Sequence, residues 1–498
     1  MKKILSTVFI AVAFASCNEL DLEPEGVITR QQFFKTDADA TAAVTGVYQA
    51  LTYTEGEQSL YGRNLYFLTD MGSDYAAAGS SASNYHVQSI SRLAIEAGND
   101  RVALVWKQIY NGINRANIAI DNIPGITGGD ADLRQRLTNE AKFIRALLYF
   151  NVVRLWGDAP LVLHEAGELK NEILKAGRSG KDEIYAQIIS DLTDALALPP
   201  TYAAADRGRP TGGAARALLA NVYLTLKEWT KARETAQDII TNADLYEYRL
   251  VDDFGDLFTK PDRKNGPEHV FSIQFENGQN GTSGSTGNTL TSVSYFGTVP
   301  TEPADIPASD EIGYNRFIDN GVIKDTRRDV SYLKQAGTYI FPRALFIKYV
   351  SDINKPYQQR SGDPVNFPLI RYSEVLLILA EALNEENNGP VPEAYEAINQ
   401  VRRRAFGELP YTQPSSKPGV DLSGLDVNGF RKAIQDERLF EFVQEGKRWF
   451  DLVRWGILVE EVSKVPFKSA VSERNYLYPI PQDQRDLNPE GLPQNPGY

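Results

Sequence analysis

Cys17 is the only cysteine in 498 residues, and its position gives the thiol a specific chemistry. Lys2 and Lys3 precede an apolar stretch from Ile4 to Phe14, which runs into Ala15-Ser16-Cys17. This is the layout of a secretory signal: a charged start, an apolar run too short to span a bilayer, and small residues at the cleavage point. A cysteine placed at the new N-terminus is the nucleophile for thioether lipidation. The competing reading is an ordinary secreted protein whose cysteine does no chemistry. Removal of residues 1–16 takes away Lys2 and Lys3 and moves the formal charge from -13 by two to -15. So acidic a chain disfavours nucleic acid and anionic lipid as partners. With Cys17 acylated no disulfide can form, and the fold must rest on the core that a chain of this length can bury.

Three carboxylates could do other chemistry. Glu437, Glu441 and Glu445 are four residues apart, which on a helix makes one stripe with about 5–6 Å between side chains. A retaining glycosidase uses two carboxylates at about 5 Å, facing each other across a sugar. Here Arg438, Lys447, Arg448 and Arg454 stand beside them, with Phe440, Phe442, Trp449, Phe450 and Trp455. That composition reads as ion pairs bracing a packed aromatic helix, and the chain is expected not to be an enzyme. His86, His164 and His269 are scattered without ligand spacing, so no metal centre is implied. No cofactor is expected; Asp- and Asn-rich loops leave a structural calcium open. The run Gly278 to Gly287 lacks the Gly-Lys-Ser/Thr of a phosphate loop. Gly281-Thr-Ser-Gly-Ser285 has the wrong spacing for a serine nucleophile elbow.

The elements that would position such residues are mostly helical. Residues 1–16 read as a lipoprotein signal peptide and 17–30 as a lipidated tether. Asn18 to Gly26 is acidic and broken by Pro24 and Gly26; about ten extended residues reach roughly 33 Å. From 31 to 250, capped amphipathic runs predict helices over Thr36–Thr52, Asp100–Ile123, Asp132–Trp156, Lys181–Leu198, Thr211–Lys227 and Trp229–Thr241. Residues 251–370 form a loop-rich insertion with short strands expected at His269–Phe275 and Thr338–Pro342. Helices return over 371–498, at Tyr372–Glu386, Pro392–Phe406 and Val427–Glu461, before a proline-rich tail from Asn475 to Tyr498. Ala220, Tyr223, Trp229, Ala232 and Ala236 fall at tetratricopeptide spacing, with a looser echo at Ala380, Leu383, Ala394, Ile398 and Val401. Two such units about 160 residues apart predict repeat-like pairs brought together in space rather than a continuous solenoid. The fold class is mainly α: a tetratricopeptide-like scaffold carrying the insertion, with 31–498 as one compact unit.

Several stretches resemble a known family. They include Asn139 to Phe150, Arg154-Leu-Trp-Gly-Asp-Ala-Pro160, Arg207-Gly-Arg-Pro-Thr-Gly-Gly-Ala-Ala215, Leu369 to Leu377, Ala380-Glu-Ala382 and Ile398 to Ala405. Further on come Glu437-Arg-Leu-Phe-Glu-Phe442, Gly446 to Gly456, Tyr478-Pro-Ile-Pro481 and Gln494-Asn-Pro-Gly-Tyr498. In this order, behind a lipidated start, they are similar to the SusD/RagB family of outer-membrane lipoproteins. The resemblance implies a surface-exposed, lipid-anchored protein of the outer membrane. It would bind glycan and deliver it to a SusC-like TonB-dependent transporter, over whose barrel it acts as a lid. Glu19, Asp21 and Glu23 suit export to the outer face. A RagB-like peptide-capturing protein and a helix-repeat adaptor without a small ligand remain the alternatives.

A glycan site needs aromatic faces and polar groups in a preformed concavity. Two irregular stretches supply them. One holds Asp74, Tyr75 and Tyr85, the latter between Asn84 and His86. The other holds Tyr295 and Phe296 after Ser294.

Overall fold

The computed structural model describes residues 33–52, 59–78, 84–166, 176–275, 294–296, 299–301, 307–309, 311–336, 339–350 and 365–498. Cys17, the tether over 17–30 and the run Gly278 to Gly287 lie outside them.

Among the described residues six helices longer than ten residues precede the insertion: α1 (Asp37–Thr52), α2 (Asp100–Asn122), α3 (Ala131–Trp156), α4 (Lys181–Ala195), α5 (Gly212–Thr225) and α6 (Trp229–Thr241). Their starts are fixed by side chains that accept the first free backbone N–H groups. Asn99 accepts from Arg101 and Val102, Asp130 from Leu133, and Thr211 from Ala214. Each helix packs on the next in chain order. After the insertion come α7 (Tyr372–Glu386), α8 (Pro392–Ala405), α9 (Val427–Phe442) and α10 (Arg448–Trp455).

The two repeat-like pairs are α5/α6 and α7/α8, and they meet directly, because α6 packs on α7. Ala220, Ala232, Ala236, Ala380 and Ala394 are fully buried; their small side chains let the helices approach. The array therefore continues through space across a long interruption in sequence, more continuous than the spacing of the two units predicts.

Short antiparallel pairs make up the rest: β1 (Ala76–Ala78) with β5 (Pro307–Ser309), β2 (His269–Ile273) with β8 (Phe367–Arg371), β3 (Ser294–Phe296) with β4 (Val299–Thr301), and β6 (Tyr332–Ala336) with β7 (Tyr339–Phe346). The β2–β8 pair is a stem. His269 faces Arg371 and Ile273 faces Phe367, so the insertion leaves the helical array and returns to it on adjacent strands. That is how a long irregular segment is added without breaking the α6–α7 contact.

The expected helix over Val427–Glu461 is three helices. α9 stops at Phe442 because Val443 is extended (φ -52°, ψ 132°), and Gln444 and Gly446 then take positive φ of 65° and 69°. α10 restarts at Arg448 and ends at Gly456 in the left-handed region, with Leu458–Val462 following. The C-terminal tail is tucked in: Tyr478, Ile480 and Leu492 are buried, and Asn495 donates to the carbonyls of Trp156 and Tyr478 at 3.0 and 2.7 Å.

Candidate functional site

The three glutamates converge, though not as one helical stripe, because Glu445 sits in the turn after α9. All are buried, at 1%, 0% and 1% exposure. Glu441 Oε1 accepts from Arg371 Nη1 and Arg404 Nη2, both at 2.5 Å, and its Oε2 accepts from Arg327 Nη1 at 2.9 Å. Glu437 takes Arg327 Nη1 at 2.6 Å and Arg402 Nη1 at 3.1 Å. Glu445 takes Lys348 Nζ at 2.5 Å and Arg371 Nε at 2.8 Å. Glu268, on Arg371 and Arg404, and Asp325, on Arg327, complete the network. Burial opposes ionisation of Glu441, but Arg404, Arg371 and Arg327 outweigh it and hold its pKa well below the carboxylate range. Burial in turn pulls the Lys348 ammonium down to about 8, against the pull of Glu445. A carboxylate so enclosed has no open side for a substrate or a catalytic water. These residues fasten β8, α8, α9 and the short helix Arg327–Ser331 to one another.

Asp74 and Tyr75 belong to the same frame, which corrects their placement as ligand-facing residues. Both are 0% exposed. Asp74 accepts from Arg448 Nε and Nη2 at 2.9 and 2.8 Å and from Arg316 Nη1 at 2.7 Å. Burial raises its pKa, but Arg448 and Arg316 prevail and hold it below the usual range. The Tyr75 hydroxyl accepts from the backbone N–H of Gln444 at 2.8 Å and donates to Asp70. Burial lifts the Asp70 carboxyl to about 7 despite the bonds from Tyr75 and Thr69. The Tyr75 ring meets Phe346 edge-on at 5.9 Å, inside a second core cluster with Phe317, Tyr332 and Phe440.

Tyr85 is different. It opens a short helix, Tyr85–Ser91, and is 68% exposed. Asn84 caps that helix by accepting from the N–H groups of His86 and Val87 at 2.9 and 3.1 Å. The His86 ring meets the Tyr85 ring at 5.6 Å and 72°, leaving an aromatic face toward solvent. Ser91 Oγ accepts from Ala78 N–H at 2.9 Å, which ties the helix to β1. The frame behind Asp74 and Tyr75 thus holds the strand beside which Tyr85 stands. Tyr295 and Phe296 lie on β3, opposite Pro300 and Val299 of β4; their side chains are outside the described residues. Among the described residues no cluster of His, Cys, Asp and Glu could hold a metal, and no helix is long and apolar enough to cross a membrane.

A cavity of about 490 Å³ lies elsewhere. It opens between residues 200–211, 244–249 and 265–272. Sequence reasoning missed it, although Arg207 and Gly208 stood in one of the quoted motifs.

Comparisons with known proteins agree with this geometry. A sequence profile of the SusD family matches residues 319–470. A second profile, described as starch-binding associating with outer membrane, matches residues 20–224. The SusD-like protein P2 of Formosa agariphila is 31% identical over 520 residues, covering 100% of each chain. The crystal structure of a SusD homologue from Bacteroides thetaiotaomicron superposes with a TM-score of 0.79 at 24% identity, over 94% of this chain and 98% of that one. Surface glycan-binding protein A of Bacteroides thetaiotaomicron, in complex with laminarihexaose, superposes with a TM-score of 0.73 at 20% identity, over 93% of this chain and 100% of that one.

Proposed function

The chain belongs to the SusD family, and on that premise we propose that it is a non-catalytic lipoprotein that captures glycan at the outer membrane and passes it to a SusC-like TonB-dependent transporter. The matching profile is described by starch and the outer membrane, while a structural neighbour carries laminarihexaose. The ligand is accordingly assigned as a class, glycan, and not as one sugar. Cys17 would supply the lipid anchor.

One observation carries the reading: Tyr85, exposed at 68% on a capped helix that is pinned to a buried frame. An aromatic ring held this way presents a rigid apolar face at little entropic cost on binding, which suits the C–H face of a sugar. The enclosed state of Glu437, Glu441 and Glu445 supports capture without hydrolysis.

The test is a panel of oligosaccharides titrated against the whole chain purified in detergent. At least one should bind, and Tyr85→Ala should weaken it about tenfold, since an aromatic contact of this kind is worth roughly 0.5–1.5 kcal/mol beyond its area. Absence of any glycan binding, or unchanged affinity in Tyr85→Ala, overturns the proposal. Transfer is tested separately by whether a TonB-dependent barrel co-purifies with the protein from detergent-solubilised outer membranes.

A further inference from the structure

The 490 Å³ cavity is within the roughly 300–1,000 Å³ range of small-ligand sites, and it shares no residue with the Tyr85 face. Its floor is set by the start of α5. Thr211 caps that helix and its Oγ1 lies 2.7 Å from the Tyr248 hydroxyl. Tyr246 and Tyr248 stack at 5.4 Å and 25°. Gly213 allows the approach, for a Cβ there would stand 2.8–2.9 Å from both rings. The helix N-terminus adds a fixed partial positive charge on this side.

Arginines border the cavity in two states. Arg209 is engaged, with Glu140 at 2.7 Å and Asp206 at 2.8 Å. Arg207 and Arg249 are exposed, and among the described residues neither guanidinium makes a hydrogen bond or an ion pair. Both also line an adjoining depression of about 350 Å³, so they flank the passage between the two. Their backbones are nonetheless fixed. Arg249 N–H donates to the Pro267 carbonyl at 3.1 Å, and the Arg207 backbone pairs with that of Arg209 in an isolated β-bridge. Ser272, only 2% exposed, also lines the cavity, and among the described residues its Oγ has no hydrogen-bond partner. Two carboxylates, Asp244 and Glu247, lie on the opposite side of the account.

We propose that this cleft is a second saccharide site, selective for acidic sugars that carry a uronate carboxylate or a sulfate ester. Free guanidinium forks pair bidentately with such groups. Asp244 and Glu247 can accept hydrogen bonds from the hydroxyls of a bound sugar, which a sulfate ion does not offer. The Ser272 hydroxyl supplies one further polar contact at the floor. The site goes beyond the Tyr85 reading and is independent of it.

The experiment is calorimetric titration of the whole chain in detergent with four probes: a galacturonate trisaccharide, a sulfated galactose oligosaccharide, a neutral glucose hexasaccharide and a glutamate tripeptide. One acidic saccharide should bind, and the two acidic arms separate carboxylate from sulfate. The double variant Arg207→Ala/Arg249→Ala should weaken that binding at least tenfold, while Tyr85→Ala leaves it unchanged. Raised salt should weaken it as well. Equal affinity in the double variant, no acidic saccharide bound, or tighter binding of the tripeptide overturns the proposal. If Tyr85→Ala alone weakens the acidic sugar, the cleft falls and the proposed function stands. If only the arginine variant has any effect on any glycan, the Tyr85 face falls and the cleft stands.

Discussion

Glu441→Gln is the sharpest perturbation of the buried network. The side chain keeps its volume, so no cavity opens, and the change is one of charge and donors alone. In the native chain Glu268, Asp325, Glu437, Glu441 and Glu445 balance Arg327, Arg371, Arg402, Arg404 and Lys348. The variant leaves one positive charge in excess at a site with no access to water. It also sets an amide NH₂ against guanidinium N–H groups, since arginines address both Glu441 oxygens. Breaking a buried pair by removing one partner costs about 3–5 kcal/mol, against a total stability on the order of 5–15 kcal/mol. The loss should therefore take a large share of the folding free energy. Equilibrium urea unfolding followed by the fluorescence of the five tryptophans measures it as a lower midpoint with an unchanged slope. A loss under about 1 kcal/mol would refute the reasoning. So would release of glycan fragments by the parent chain that Glu441→Gln abolishes at unchanged stability, because that is the signature of a catalytic carboxylate.

Asp70 gives a pH dependence. Its folded pKa of about 7 lies above the ordinary 3.8, so the fold favours the protonated form; the contribution is full below pH 3.8 and is lost as pH rises to about 7. Its span is on the order of 4 kcal/mol; His269, pulled by burial from 6.5 down to about 4, acts in the opposite sense within this window, so Asp70→Asn should make the unfolding free energy rise more steeply with pH there, while Lys348, with its pKa of about 8, does not enter. Ala236→Leu overfills the α6 contact with α5 and α7 and should cost roughly 1–3 kcal/mol, read as a lower urea midpoint; a variant as stable as the parent would show that the helices are not in close approach there. Cys17→Ser should move the protein from the membrane fraction to the soluble one, and its retention in membranes would end the case for lipidation.

The helices were legible because their start signals are local. Asn99, Asp130, Thr211 and Asp426 are short polar residues that bond to N–H groups two or three positions ahead, within reach of any reading of the chain. The break after Phe442 was not legible. Charged and aromatic residues keep a helical rhythm through it, and the decisive feature, Gln444 at positive φ, leaves no mark in composition. Asp74 and Tyr75 failed for another reason. A polar, aromatic stretch between helices reads as a surface loop, but its partners Arg316 and Arg448 are 242 and 374 positions away. Tyr85 is exposed because its local cap accounts for its neighbours and, among the described residues, nothing distant covers the ring. The cleft of Arg207 and Arg249 joins segments that carry no signal of each other.

This contrast separates frame from function. Within the Glu437–Phe442 and Gly446–Gly456 motifs the charged groups are engaged: Arg438 with Asp451 at 2.8 Å, Lys447 with Glu374 at 2.7 Å, Arg448 with Asp74, and Arg454 with Glu381. A substitution there leaves a buried partner unpaired, so these positions cannot change to suit a new ligand without losing the fold. Tyr85, Arg207 and Arg249 stand outside that constraint. Replacing an exposed side chain that leaves no buried group unpaired changes stability by roughly 0.5 kcal/mol or less, so recognition can vary at these positions while the array beneath them stays fixed. Ligand choice in this chain should accordingly be altered by exchanges at Tyr85, Arg207 and Arg249 that leave the unfolding midpoint in place. Any exchange in the Glu437–Gly456 motif that alters binding should lower that midpoint as well.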